Sequence, residues 1–315
     1  MQTILGSTGP IGTLLAKDLH NFTQDIRLVS RTPSKVNATD TLFKADLLNL
    51  NETKDAIEGS SIVYFTAGLP LDTQTWVQKW PILMNNVIEA CIHHNAKLVY
   101  FDNTYMYPQS SLPLLESTPF KPNGPKGEVR GLVTQLLLDA MRTRHLEALI
   151  CRAPEFYGPE NTKSFTQSAI ITPLLNSQTA KVLLSSTTKR TLIYTPDATR
   201  AMALLGNTPR AFGETWHLPC CETTPTYEEF IQMCSAIFNT ESNFKIIQKW
   251  QINIGSIFSK QLKEIQELLP RYEHDSIFNS AKFKKAFPTF KTTNYEEGLK
   301  AIFKEHQDSK TNLKE

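Results

Sequence analysis

Short apolar runs alternate with stretches of helical periodicity along the chain as far as Arg152. Ile4-Leu5 opens the pattern, and Leu14, Leu15 and Leu19 follow at helical spacing. Ile26-Arg27-Leu28-Val29-Ser30 reads as a second strand, closed by Arg31-Thr32-Pro33. A short strand over Phe43-Lys44-Ala45-Asp46-Leu47 precedes a helix around Leu50 to Ile57, and Ser61 to Phe65 reads as a buried strand ending in the small residues Thr66-Ala67-Gly68. Trp76 to His93 predicts a helix with a kink or break at Pro81. Lys97 to Phe101 is a further strand, running into Asp102-Asn103-Thr104-Tyr105-Met106-Tyr107-Pro108. After a Ser- and Pro-rich loop over Ser110 to Pro125, Lys126 to Arg144 predicts a long amphipathic helix, and Glu147 to Arg152 another strand. Strands alternating with helices at this spacing predict an α/β fold: a doubly wound parallel sheet whose ligand lies across the carboxyl ends of the strands.

Beyond Arg152 the alternation loosens. Thr191 to Asp197 reads as a strand and turn, Ala198 to Leu205 as a helix, and Thr215 to Leu218 as a short strand. Thr226 to Phe238 predicts a helix with Thr226 at its N-cap and Glu228-Glu229 in the first turn. The charged tail from Lys304 to Glu315 is expected to fray.

The first strand–helix junction carries the chemistry. Gly6-Ser7-Thr8-Gly9-Pro10-Ile11-Gly12 places glycines at Gly-x-x-Gly-x-x-Gly spacing between a strand and a helix. Such a turn aims backbone N–H groups at a phosphate. Gly6 makes the sharp exit, Gly9 lets backbone approach a pyrophosphate, and Gly12 lets the helix pack on the strand. Pro10 suits the first helical turn. The alternative is an ordinary strand–helix turn. In this topology the end of the second strand meets the adenosine ribose, where a carboxylate would bond the 2′-OH. Here the position holds Arg31, with Ser30 beside it and Lys35 nearby. A guanidinium suits a 2′-phosphate, so NADP is expected, with NAD as the alternative. Asp46 either accepts from the adenine amine or caps the following helix.

Composition narrows the class without changing that picture. A net charge of +2 gives no broad basic surface for nucleic acid. Five scattered cysteines show no zinc-ligand spacing and read as reduced thiols in a cytoplasmic protein. No apolar run approaches the ~20 residues of a membrane span. The chain opens directly into the glycine-bearing strand, which argues against a signal peptide.

The order of motifs resembles an extended short-chain dehydrogenase/reductase of the NAD-dependent epimerase/dehydratase family. The resemblance rests on Gly6-x-x-Gly9-x-x-Gly12, Asp46-Leu47, Ala67-Gly68, Tyr107, Arg152…Tyr157-Gly158-Pro159, Ile193-Tyr194-x-x-Asp197-Ala198 and Ser280-x-Lys282-Phe283-x-x-x-Phe287. It implies a Rossmann-like dinucleotide-binding domain over 1–155, rejoined by about 188–220, and an interleaved smaller substrate domain over 156–315. It also implies a nicotinamide cofactor held by Gly6, Thr8, Gly9, Pro10, Ile11, Gly12, Arg31, Asp46, Leu47, Ala67, Gly68 and Arg130. A small polar substrate, for example a sugar derivative, and a homodimer are expected too, the dimer through the helices Trp76 to His93 and Lys126 to Arg144.

The departures are as informative. Catalysis in the family resembles a Ser/Thr–Tyr–Lys set with Tyr-x-x-x-Lys on a helix, yet no tyrosine here has a lysine four residues later. Alignment of the long helix puts Lys126 in the Tyr slot and Arg130 in the Lys slot, Asn103 in the Ser/Thr slot, and Glu155 where the family has Asn. Lys126 then becomes the candidate general base or Schiff-base amine. Arg130 becomes a clamp for the ribose or an oxyanion, and Glu155 a proton acceptor or a partner for Arg130. Tyr105 is a further proton-donor candidate. Asn103 alternatively caps a turn, and Tyr107 alternatively serves packing. His93-His94, His217 and His274 sit at no motif. Two functions remain in play: an NADP-dependent oxidoreductase or epimerase, and a non-catalytic NADP(H)-binding sensor.

Overall fold

The computed structural model describes residues 1–160 and 162–312. Two compact units divide the chain: Met1–Pro108, Thr118–Ala153 and Ala198–Leu218 form the first, and Gln109–Ser117, Pro154–Asp197 and the chain from Pro219 onward form the second.

Strands β1 (Gln2–Leu5), β2 (Ile26–Ser30), β3 (Thr41–Lys44), β4 (Ile62–Phe65), β5 (Lys97–Asp102) and β6 (Ala148–Arg152) lie in the first unit; β7 (Glu155–Tyr157), β8 (Ala180–Leu183) and β9 (Leu192–Tyr194) lie in the second; β10 (Thr215–His217) returns to the first, and β11 (Phe244–Ile247) is again in the second. The sheet of the first unit has the order β10-β6-β5-β4-β1-β2-β3, with every pair parallel. The strand order reverses between β1 and β4, the place where a doubly wound sheet opens a crevice at its carboxyl edge. Central strands covered on both faces read as unbroken apolar runs, and Ala148–Arg152 is buried at every position. The outermost β3 is largely exposed.

Helices α1 (Pro10–Leu19), α2 (Leu50–Ile57), α3 (Thr73–His93) and α4 (Pro125–Thr143) follow β1, β3, β4 and β5. One core joins α2, α3 and α4 to the sheet, with Trp76, Trp80, Met84, Val87, Val133 and Leu137 packed near Phe65, Leu98 and Ile150. Helix α3 begins before Trp76, because the Asp72 carboxylate caps it by accepting from Thr75 N at 2.8 Å. The helix also runs on through Pro81 instead of breaking there. The cap of α2 is Asn49, whose side chain accepts from Asn51 N and Glu52 N, so the capping role considered for Asp46 belongs to Asn49.

In the second unit, β7 pairs with β9 and β8 with β11. The helix Tyr227–Phe238 carries the full capping box of Thr226 and Glu229. Its core is aromatic, with Tyr157 5.3 Å from Tyr295 and 5.9 Å from Phe230 between ring centroids. Lys304, expected to open a fraying tail, lies inside the helix Tyr295–Asn312, and residues 313–315 lie outside the described residues.

Candidate active site

The glycine turn sits at the carboxyl end of β1 and is tied to β2, since Gly6 N and Ser7 N both donate to Val29 O, at 2.9 and 3.1 Å. Its three glycines have different reasons. Gly6 has φ +90°, and a Cβ there would lie 2.4 Å from Ala67 Cα. A Cβ on Gly12 would lie 2.5 Å from Gly6 O, so only glycine lets α1 close on the turn. Gly9 is required by neither condition: its φ is −76°, and a Cβ would find Gly6 O at an ordinary 3.5 Å. The chain's own packing leaves a methyl group's space at the head of α1. That helix starts at Pro10, and no side chain caps it. Ser7 Oγ is buried in the same turn without a hydrogen-bond partner. Bare backbone, an uncapped helix start and an orphaned hydroxyl fit the phosphates of a dinucleotide. Thr8 is exposed, and Ile11 is half-buried beside it.

Arg31 is exposed just past the end of β2. Asp46 is exposed past β3 and accepts from Leu48 N at 3.1 Å, while Leu47 behind it is buried. Past β4, Ala67 is half-buried, and a Cβ on Gly68 would meet nothing within 4 Å. The strand ends β1, β2, β3 and β4 thus present small, open or polar positions along one edge.

The other half of that edge is dense with charge. Register pairs Asp102 of β5 with Arg152 of β6, and Arg152 with His217 of β10, so the last residues of three neighbouring strands form a row. Asp102 is the hub. It accepts from Arg152 Nε at 3.1 Å, Thr134 Oγ1 at 3.1 Å, Asn103 N at 2.8 Å, and the guanidinium of Arg130. Arg152 also donates to the Tyr107 hydroxyl at 2.5 Å, and that hydroxyl lies 2.7 Å from His217 Nε2. The His217 tautomer sets which of the phenol and the imidazole donates in that bond. Aromatic faces complete the enclosure: Trp80 lies under Arg130 at 4.4 Å, and Tyr107 and Phe120 flank Arg152 at 4.8 and 5.4 Å. Burial opposes the charge on both arginines. Tyr100 and Asp102 around Arg130, and Asp102 and Tyr107 around Arg152, nevertheless hold both pKa values above the ordinary one.

The residues aligned with the family's catalytic set are placed as follows. Lys126 is 1% exposed, and its Nζ donates to Thr73 Oγ1 at 2.6 Å, joining the first turns of α4 and α3. Beside it, a Cβ on Gly127 would lie 2.7 Å from Tyr105 O, so glycine lets the first turn of α4 approach the Tyr105 backbone. Asn103 Oδ1 accepts from Tyr105 N at 3.0 Å, the turn-capping role. Tyr105 stacks on Trp76 with ring centroids 5.8 Å apart. Arg130, expected to clamp ribose or an oxyanion, pairs with Asp102 through its guanidinium, and its buried Nε has no hydrogen-bond partner. Glu155 accepts from Thr166 N at 2.8 Å and Thr166 Oγ1 at 2.7 Å within the second unit. Sequence reasoning passed over Asp102, Arg152 and His217 as a group. The available signal was a charged residue closing each of two apolar strands. Burial pushes the thiols of Cys91, Cys151, Cys220 and Cys234 up, which leaves them poor nucleophiles.

The sequence model of the NAD dependent epimerase/dehydratase family matches residues 3–218, from β1 to just past β10. The chain belongs to that family. The sheet order and the glycine turn of the first unit are therefore the family's Rossmann-like frame. Solved structures of like fold include UDP-glucuronic acid 4-epimerase from Bacillus cereus in complex with NAD, with 17% identity and a TM-score of 0.78 over 98% of this chain and 99% of that one. UDP-glucose 4-epimerase from Thermus thermophilus, also with NAD, has 14% identity and a TM-score of 0.77 over 98% and 99%. DesIV, a dTDP-glucose 4,6-dehydratase from Streptomyces venezuelae with NAD and TYD bound, has 14% identity and a TM-score of 0.78 over 99% and 98%. No curated protein sequence matches the chain. Among the described residues no group of side chains is arranged to hold a metal ion, and no helix is long and apolar enough to cross a membrane.

Proposed function

We propose that this chain is an NADP(H)-binding oxidoreductase or epimerase acting on a small, sugar-derived substrate. The observation that carries the reading is Gly9, bare at the uncapped head of α1 although nothing in the chain's own packing demands a glycine there. The epimerases and dehydratase of like fold are named for sugar nucleotides, which supports the substrate class. A nicotinamide dinucleotide, when bound, takes up and returns a hydride. Gly6, Thr8, Gly9, Pro10, Ile11 and Gly12 would carry its pyrophosphate, Asp46 and Leu47 its adenine, and Ala67 and Gly68 its passage over the sheet edge. Arg31 would pair with a 2′-phosphate. Lys126, oriented by Thr73, is the proton donor in this reading, with Tyr105 the second candidate.

Calorimetry tests the cofactor first. NADPH is expected to bind more tightly than NADH, and Arg31→Ala to weaken NADPH about ten- to a hundredfold. Equal affinities in the unaltered protein would remove the assignment to NADP. A redox and epimerisation screen with sugar nucleotides tests the chemistry: Lys126→Met is expected to lower turnover strongly and leave NADPH affinity within a few-fold. Arg130 favours a second reading, a non-catalytic NADP(H)-binding protein, because Asp102 engages the cation standing in the family's lysine slot. Tight NADPH binding without turnover of any substrate would select it. Exposed Val77 and Ile82 on α3 and Leu132 on α4 support a homodimer through these helices, which light scattering reads directly. Five free cysteines support a reducing, cytoplasmic setting.

A further inference from the structure

The helix Lys249–Phe258 buries Ile252 and turns its opposite side outward. Trp250, Ile254, Ile257 and Phe258 stand at i, i+4, i+7 and i+8, and are 62%, 54%, 76% and 86% exposed. That spacing gathers them into one stripe. Within the same helix, Gly255 faces the end of the Leu262 side chain on the next helix, Lys260–Gln266: a Cβ there would lie 2.6 Å from Leu262 Cδ1.

Lysine dominates the charge on the stripe's own segment. From Ser242 to Lys263 the chain has no Asp or Glu, while Lys245, Lys249, Lys260 and Lys263 are all exposed; Glu241 before the segment and Glu264 and Glu267 after it bound the run. Exposed Lys181 stands in register with Lys245 across the pair β8–β11. Lys249 also pairs with Glu273 at 3.1 Å, but both side chains are exposed, and an exposed pair of this kind is weak enough to yield to another anion.

We propose that this face docks peripherally on an anionic lipid bilayer: Trp250, Ile254, Ile257 and Phe258 enter the headgroup boundary, and the lysines meet lipid phosphates. A second copy of the chain is the weaker occupant on two counts. A symmetric contact brings the same patch of each copy together, and so sets lysine against lysine. The stripe is also far smaller than the roughly 20–30 residues a side of an ordinary stable interface, about 800 Å² per partner.

Trp250 supplies its own reporter, because Trp76, Trp80 and Trp216 are only 6%, 3% and 7% exposed. The full chain would be mixed with vesicles of phosphatidylcholine alone or of phosphatidylcholine with phosphatidylglycerol. The expected result is co-sedimentation with the anionic vesicles, a blue shift of the exposed tryptophan, and release by raised salt. The double variant Ile257→Ser, Phe258→Ser should weaken that binding by about tenfold or more without lowering the melting temperature. The variant Lys260→Glu, Lys263→Glu should weaken it with the apolar stripe intact. No co-sedimentation, or equal binding to phosphatidylcholine alone, overturns the proposal. So does light scattering in which the unaltered chain is a dimer that the Ile257/Phe258 variant dissolves. None of these readouts needs a cofactor or turnover, so they stand or fall apart from the enzymatic reading.

Discussion

The two halves of the sheet's carboxyl edge are built on opposite plans. Beyond β1 and β2 the edge is backbone: a glycine turn, an uncapped helix start and a space where no side chain stands. Beyond β5, β6 and β10 it is side chain: a carboxylate, two guanidinia, a phenol and an imidazole, each almost wholly buried and bonded to the next. The first plan leaves room and waits for a partner. The second bonds its members to one another, leaving Arg130 Nε without a partner, and fixes the ends of three strands. Within one sheet, the second half is therefore the one that should be rigid and intolerant of losing any member.

Asp102 offers the largest way to break that comparison. Asp102→Ala would leave the two buried arginines without their shared carboxylate, and denaturant unfolding is expected to show a loss of about 3–5 kcal/mol. A loss under roughly 1 kcal/mol, the size of an exposed pair, would mean that the cluster is not the rigid half.

The glycine turn sharpens the contrast from the other side. Gly6→Ala forces a Cβ at positive φ into the Ala67 backbone and is expected to destabilise by roughly 2–4 kcal/mol. Gly9→Ala meets only ordinary contact, so stability should stay within about 0.5 kcal/mol while dinucleotide binding falls sharply in calorimetry. If Gly9→Ala unfolds the protein as Gly6→Ala does, the space at the head of α1 is structural.

The smallest effect calibrates the surface. Arg144, just past α4, donates to Glu89 of α3, and that hydrogen bond holds the Glu89 carboxyl below the usual carboxylate range. A depressed carboxylate stabilises the fold above its unfolded pKa, and the contribution is lost as pH falls through the lowered folded value. Both side chains are more than a third exposed, at 41% and 44%. Glu89→Gln should therefore lose less than about 1 kcal/mol near neutral pH and remove that part of the acid-side decline, as urea titrations across pH would show.

The legibility of each half in the sequence follows from how it is built. The glycine turn is contiguous, so spacing alone places it, and Pro10 even marks the first residue of α1. The strand alternation was equally legible, because buried parallel strands are apolar runs. The charge cluster was not, since Asp102, Arg130, Arg152 and His217 come from four separate elements, and only the register of β5, β6 and β10 brings the strand ends together. Arg130 shows the consequence. Its slot in the family pattern suggested a clamp for ribose or an oxyanion, and the motif carries no information about the neighbouring strand end, where the Asp102 carboxylate pairs with the guanidinium. Of the kink or break expected at Pro81, the break does not occur: a helix held along its length by core packing continues through a proline that would break an isolated one.

The late return of β10 has a consequence for synthesis on the ribosome. Strand β6 is complete at Arg152, but its outer neighbour is not made until Thr215 to His217. At roughly 5–20 residues per second, the emerging chain carries an apolar, unpaired strand edge for several seconds. Such an edge recruits any other extended segment it meets. Nascent chains stalled before Thr215 should accordingly be the ones that chaperones retain, and release should coincide with emergence of the short segment that ends in His217.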